Sequence, residues 1–278
     1  MNIVGLGGAG CNIADAFSQY PQYNIFKIDV GISGERCYEV PKLSGAEEYE
    51  KHSFPKLDRF FGEIRKNKEE VMFIVGGSGE ISCASLKILQ KLKRNDITVV
   101  YIQPDLGILN ERQKMIEKLV RGVFQEYARS GVFKRLFLIS NQSLDNMLGG
   151  SPIIGYYDTL NELLVSSIHM INVFENTKPL VGSPNFGKET HRIVSLGMLI
   201  MEENTEKMFF NIDNVRSKCY LYSIAEEELK TNKELFSRLK LQVKSKEEEN
   251  LEVSFAIYPN DFGRNIAYII EKTPHTQN

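Results

Sequence analysis

Cysteine and histidine are scarce in this chain, four of each among 278 residues. Cys11, Cys37, Cys83 and Cys219 are widely scattered and never form a C-x-x-C pair. That argues against a disulfide framework or a thiolate metal centre and leaves reduced thiols as the expectation. His52, His169, His191 and His275 stand in no recognisable catalytic setting. Neither sign of charge dominates: 34 basic residues against 36 acidic give a formal net charge of -2, so neither nucleic acid nor an anionic membrane is an expected partner. No apolar run approaches the roughly eighteen residues of a membrane span. The chain enters a strand pattern within two residues of Met1, so a signal peptide is not expected either and the expected location is cytoplasmic.

What the chain does have is apolar bulk in alternating periodicities. Hydrophobic residues make up 42% and charged residues 25%, as in an ordinary globular protein, and the length exceeds a typical single domain. Strand and helix patterns alternate through the first two thirds: strand 2–5, helix 9–19, strand 24–29, a long polar loop to about 53, helix 55–68, strand 70–75, helix 81–93, strand 97–102, helix 109–129, strand 135–140 and a long helix within 152–175. This order predicts an α/β fold, a parallel sheet with helices on both faces. Beyond Gly182 the pattern changes. "RIVSLGMLIM" and "KCYLYSI" read as strands, "IAEEELKTNKELFSRLKLQVKSK" as one charged helix, and "NLEVSFAIYP" and "NIAYIIEK" as strands joined by a hairpin-type turn, "NDFG". The expected domains are 1–176, for nucleotide binding and including the central helix 152–175, and a small α+β domain over 177–278.

Two glycine turns follow apolar strands. "GLGGAGCN" places Gly5, Gly7 and Gly10 as G-x-G-x-x-G, with Asp29 near the end of the next strand, the fingerprint of a dinucleotide site. "GGSGE" follows the strand "VMFIV". Backbone amides in a glycine turn that opens a helix converge on one point, where the helix dipole also favours an anion. A dinucleotide needs one such turn; two at the carboxyl ends of one parallel sheet suit a longer phosphate chain.

Taken together these residues resemble the tubulin/FtsZ superfamily. "GLGGAGCN" is similar to its first phosphate loop, G-x-G-G-[AG]-G-x-N, covering Gly7, Gly8, Ala9, Gly10, Cys11 and Asn12. "GGSG" resembles the core of its signature loop, G-G-G-T-G-[ST]-G, over Gly76, Gly77, Ser78 and Gly79. "YIQPDLGILNER" is similar to the sugar-contacting loop P-F-x-F-E-G-x-x-R, with Arg112 in the arginine's place, and "LFLISNQSL" puts Asn141 at the base-contacting asparagine. "YYDTLNELL" resembles the start of the central helix, with Tyr157 as the aromatic stacked on the base and Asn161 as the second guanine-reading asparagine. An asparagine offers both an acceptor and donors, so two of them can read the mixed edge of guanine. The resemblance implies GTP or GDP as ligand, with Mg2+ as the accompanying ion and no metal site built by the protein itself, and head-to-tail filaments of this chain or contact with a related filament protein. The compact size is similar to that of the short, divergent tubulin-like proteins of phages and plasmids.

The pattern breaks at three places. The family's acidic loop N-x-D-F-A-D, which activates water across a subunit contact, is matched by "VGSPNFGKETHR", with Asn185 and Lys188 where the acids belong and Glu189 as a substitute. Ile108, beside Leu109, replaces the sugar-contacting glutamate, and Glu80 replaces a small hydroxyl residue in the signature loop, where it is expected to point outward and serve the helix N-terminus. Hydrolysis is therefore expected to be weak or absent, and any enzymatic activity at most a weak GTPase. Two other readings stay open: a non-polymerising nucleotide-binding regulator of another filament protein, and, more remotely, an NAD-dependent oxidoreductase.

Overall fold

Strands buried on both faces need near-continuous apolar sequence, and the first half of the chain supplies it. In the computed structural model, which describes residues 1–186 and 190–278, β1 (Asn2–Leu6) is buried at every position. It is followed by α1 (Gly7–Ala16), β2 (Asn24–Asp29), β3 (Cys37–Glu39), α2 (Ala46–Lys51), α3 (Leu57–Phe60), α4 (Gly62–Asn67), β4 (Val71–Gly76), a 3-10 turn at Glu80–Ala84, α5 (Ser85–Gln90), β5 (Ile97–Gln103), α6 (Glu111–Arg129), β6 (Arg135–Ser140), α7 (Asn141–Leu148) and α8 (Tyr156–Glu175). The strands are all parallel in the order β3-β2-β1-β4-β5-β6. The order reverses between β1 and β4, the point where open α/β sheets leave a crevice at their carboxyl ends. Contacts divide the described chain into two compact units, Met1–Val165 and Ser166–Asn278, with the boundary inside α8.

Local chemistry sets several boundaries that apolar periodicity missed. Asn110 and the Gln113 side chain bond each other's backbone amides at 2.9 and 3.1 Å, a capping box that starts α6 at Glu111. Ser140 accepts from the Ser143 amide and starts α7, a helix absent from the sequence-based expectation. The expected helix 55–68 is two pieces, α3 and α4, that meet at Phe61. The long polar loop contains both β3 and α2.

In the second unit, β7 (Val181–Gly182), β8 (Ile193–Ile200), β9 (Thr205–Met208) and β10 (Ser217–Ala225) precede α9 (Glu226–Thr231), α10 (Leu235–Lys244), β11 (Glu252–Asn260) and β12 (Ile266–Thr273). The sheet runs β8-β12-β10-β11-β7, with β9 paired antiparallel to the Gly197–Ile200 end of β8. Leu235, Leu239 and Val243 of α10 pack with Tyr220, Tyr222, Ile257 and Ile269 of the sheet. The single charged helix expected here is broken at Asn232, whose side-chain oxygen accepts the Glu234 and Leu235 amides and so starts α10.

The expected hairpin is also absent. β11 pairs with β10 in parallel and β12 pairs with β10 antiparallel, so β10 lies between them. β10 is buried along nearly its whole length and needs a neighbour on each side. The "NDFG" segment crosses the end of β10 instead of folding back: Asn260 Nδ2 donates to Ser223 Oγ at 2.9 Å, and the Ala225 amide donates to Asn265 Oδ1 at 3.0 Å. Among the described residues no helix is long and apolar enough to cross a membrane.

Candidate functional site: two converging glycine turns

Parallel register brings the predicted site residues to one edge. Leu6 lies opposite Val75, Gly76 opposite Ile102, and Gln103 opposite Ser140. Gly7, Gly77, Pro104 and Asn141 therefore leave the sheet from one row.

The glycines of the first turn divide their work. Gly7 has φ of +70°, in the left-handed region. Gly10 lets α1 approach the sheet closely, because a Cβ there would collide with the Ile74 carbonyl oxygen. Gly8, Ala9 and Asn12 are exposed, and Leu6 provides no side-chain cap, so the first amides of α1 have no partner from within the helix. The Cys11 side chain faces inward, with its sulfur 3.5 Å from the Gly5 carbonyl oxygen. Burial pushes its thiol up to about 12, which leaves it a protonated packing group.

The second turn lies against the first: a Cβ added at Gly76 would sit 3.1 Å from that of Ala9, and Ile81 Cγ2 lies 2.8 Å from the corresponding position at Gly7. Gly79 is the exposed position of this turn, and Ser78, like Gly76, is half-buried. Gly77 is its anchor. Its amide donates to the Ile102 carbonyl at 2.9 Å, and a Cβ there would collide with the Tyr101 hydroxyl and come within 3.2 Å of Glu117 Cγ. Beneath it Glu117 accepts from Arg121 Nε at 2.8 Å, Tyr101 Oη at 3.1 Å and Gln103 Nε2 at 3.1 Å. Glu117 and Arg121 are buried, and burial together with the neighbouring carboxylate holds the Tyr101 phenol well above its ordinary range. Sequence motifs did not point to this support. Its signal was the four-residue repeat Glu117, Arg121, Gln125, polar positions beside the apolar row Ile116, Val120, Phe124 of one helix.

Glu80 and Arg112 form an ion pair at 2.7 Å, with the side chains 36% and 61% exposed. The ion pair gives the Glu80 carboxylate, which opens the first turn of the 3-10 segment, a guanidinium partner. It also places Arg112, a predicted site residue, next to the turn.

At the far end of the row Asn141 opens α7 and is half-buried. Tyr157 is 55% exposed in the first turn of α8, and Asn161 follows one turn later on the same face. Asp145 of α7 and Asp105 of the β5–α6 loop, secondary to burial, raise the Tyr156 phenol, so the start of α8 stands beside both segments. Among the described residues no group of three His, Cys, Asp or Glu side chains is placed to hold a metal ion.

Asn185 lies in the second unit and its polar groups are engaged there. Its amide donates to Ser254 Oγ at 3.1 Å, its Nδ2 to Glu252 Oε1 at 2.7 Å, and its carbonyl accepts from Lys272 Nζ at 2.8 Å. Lys188 and Glu189 lie outside the described residues.

No protein-family model and no curated protein matches this chain. Solved structures do match. An FtsZ dimer from M. jannaschii aligns with a TM-score of 0.72 at 12% identity, covering 98% of this chain and 87% of that one. A GTPγS-form protofilament of TubZ from Bacillus thuringiensis serovar israelensis aligns with a TM-score of 0.69 at 11% identity, covering 97% and 86%. A four-stranded TubZ-Bt filament gives 0.71 at 11% identity, covering 98% and 85%. The fold is therefore tubulin/FtsZ-like over nearly the whole chain.

Proposed function

We propose that this tubulin/FtsZ-like chain binds a guanine nucleotide at the carboxyl edge of its first sheet and assembles head to tail into filaments, with weak or absent hydrolysis. The observation that carries the nucleotide reading is the contact between the two glycine turns at the β1/β4 reversal of strand order. In this reading the open amides of Gly7, Gly8 and Ala9 meet the phosphates from one side, and Ser78 and Gly79 meet them from the other. Asn12 belongs to the first turn's phosphate loop on the exposed side of α1, Asn141 and Asn161 read the guanine edge, and Tyr157 stacks on the base. Mg2+ would be held mainly by phosphate oxygens and water, as that ion usually is. Arg112 neutralises Glu80, which would otherwise oppose the phosphates. A dinucleotide would use only the first turn.

Assembly is supported by the apolar character of the loops at this edge. Ile108 is 70% exposed and Ile153 and Ile154 are each 95% exposed, in the β5–α6 and α7–α8 segments that border the predicted base and sugar positions. Large apolar side chains gathered in two segments that both lie beside the start of α8, rather than scattered singly, suit an interaction surface. A contact between such an edge and a different face of a second copy is heterologous and does not close, so it propagates. Weak hydrolysis follows from Asn185, because an amide does not accept a proton near neutral pH.

The test is one sample carried through three measurements: titration with a fluorescent GTP analogue competed by ATP, sedimentation with GTP or GTPγS, and phosphate release. The expected results are GTP-selective binding, nucleotide-dependent pelleting and little phosphate. GTP binding by a chain that stays monomeric at high concentration would remove the filament reading and favour the regulator; NADH binding without GTP binding would remove the nucleotide reading.

A further inference from the structure

A cavity of about 690 Å3 opens within the first unit between α2, the 3-10 turn with α5, and α6. Its volume lies within the usual range for a small-molecule site. Ile116, Val120 and Phe124, all buried, form its floor, and Met115 and Leu119 stand at its side, 68% and 59% exposed. α6 thus carries two adjacent apolar rows, one packed into the unit and one left open along the cavity. From Arg112 to Phe124 the lining extends about 18 Å along the helix.

The polar side of the cavity has a definite sign. α2 contributes Glu47, Glu48 and Glu50. Lys51 approaches Glu47 at 3.6 Å, Glu48 accepts from the Ser44 hydroxyl at 2.6 Å, and the single lining cation, Arg112, is paired with Glu80. Among the described residues Glu50 has no ion-pair partner. It stands within electrostatic reach of the Cys83 thiol on the opposite wall, which burial, then Glu50 and Glu80, hold above its ordinary value. A phosphate-bearing ligand would meet net negative charge here, so this cavity is unsuited to the nucleotide. An apolar trough with two carboxylates that no cation pairs among the described residues, Glu48 held by Ser44 and Glu50 open, complements a cation with an apolar body.

We infer that this cavity binds a small organic cation, its ammonium directed to Glu50 and its apolar body laid along Met115, Leu119 and Phe124. The site is separate from the glycine turns, although Arg112 borders both, and the inference does not depend on guanine nucleotide being the ligand of those turns.

The test uses the full chain without nucleotide and three naphthalene probes of similar size: 1-naphthylmethylamine, 1-naphthalenemethanol and 1-naphthylacetate, followed by their own fluorescence. The expected result is saturable one-to-one binding of the amine, at least about tenfold tighter than of the alcohol or the acid. Glu50→Gln should bring the amine to the level of the alcohol. Met115→Ser with Leu119→Ser, at two exposed positions, should weaken both, with the far-ultraviolet circular dichroism and the thermal midpoint unchanged. Absence of saturation with the amine, equal binding of all three probes, or an unaltered amine affinity in Glu50→Gln would each overturn the inference. Parallel titration of Glu50→Gln with the fluorescent GTP analogue keeps the two sites distinct, since failure at the cavity leaves that titration as in the parent chain.

Discussion

Glu117→Gln probes the support of the second glycine turn most directly. Glu117 is 2% exposed, and one carboxylate oxygen collects three hydrogen bonds, from Arg121, Tyr101 and Gln103. Glutamine has the same shape and its carbonyl can keep those bonds, but Arg121 loses the carboxylate that it faces with only 7% of its own side chain exposed. Breaking a buried ion pair costs about 3–5 kcal/mol, and the retained neutral hydrogen bonds return about 1 kcal/mol. The net expectation is a loss of about 2–4 kcal/mol, roughly a thirty- to thousandfold rise in the unfolded fraction of the first unit. Arg121→Met added to Glu117→Gln should be less costly than Glu117→Gln alone, because the buried guanidinium is then removed together with the carboxylate it pairs with. The chain contains no tryptophan, so urea unfolding is followed by circular dichroism and tyrosine fluorescence. Because Gly77 rests on Tyr101 and Glu117, affinity for the fluorescent GTP analogue should fall in the single variant at temperatures where it remains folded. A stability within about 0.5 kcal/mol of the parent, with the double variant worse than the single, would refute the account of the pair.

Arg112→Met leaves the Glu80 carboxylate beside the glycine turns without its cation; the affinity for GTP should drop about tenfold at low salt and less at high salt, whereas Glu80→Gln should cause no loss. Glu206 in the second unit is pushed up by burial, but hydrogen bonds and charge from Lys218, Tyr220 and Lys246 outweigh burial and hold it below the ordinary 4.5. A carboxyl lowered on folding stabilises above its unfolded value and loses that contribution as pH falls through its folded value. Glu206→Gln should therefore cost about 2–3 kcal/mol at pH 7 and flatten the acid side of the stability profile below pH 4.5, as read by thermal melts from pH 3 to 7. Asn185→Asp turns the 2.7 Å amide contact with Glu252 into a contact between two carboxylates and should destabilise the second unit by about 1 kcal/mol, with Glu252→Gln restoring the melting temperature. An unchanged melting temperature in Asn185→Asp would mean that Glu252 turns away at no cost.

The sheet of the first unit was legible because parallel strands buried on both faces are near-continuous apolar runs, and β1, β4, β5 and β6 carry little else. The glycine turns were legible as motifs, but their contact was not, since it depends on the register of β1 against β4. Boundaries failed where a polar side chain decides them: Ser140 starting α7, Asn232 splitting the long charged pattern, Asn110 delaying α6. The hairpin expected at "NDFG" failed for a topological reason. Two apolar strands with a short link look alike whether they pair with each other or flank a third strand, and only the two-sided burial of β10 distinguishes the cases. The Glu117–Arg121 pair was hidden because charged residues four apart on a helix ordinarily read as a solvated face.

The same geometry separates the residues proposed for nucleotide binding from the one proposed to limit hydrolysis. All the residues proposed to hold the nucleotide belong to the first unit and hang from one row of strand ends, so binding does not require a residue of the second unit. Asn185, the described residue aligned with a family acid, is instead tied to β11 through Ser254 and Glu252 and to β12 through Lys272. A side chain engaged in this way is fixed by the fold of the second unit and not by a substrate. Restoring an acid at this position consequently perturbs the sheet before it can assist any reaction, and hydrolytic gain in Asn185→Asp alone is not expected. If copies associate through the apolar loops at the nucleotide edge, ligand bound there favours the assembled state by mass action. Without efficient hydrolysis that bias persists, so disassembly would track removal of nucleotide rather than elapsed time. Diluting preformed assemblies into buffer with and without GTPγS, and following light scattering, separates these two modes: equal decay in both would rule out nucleotide as the stabilising ligand.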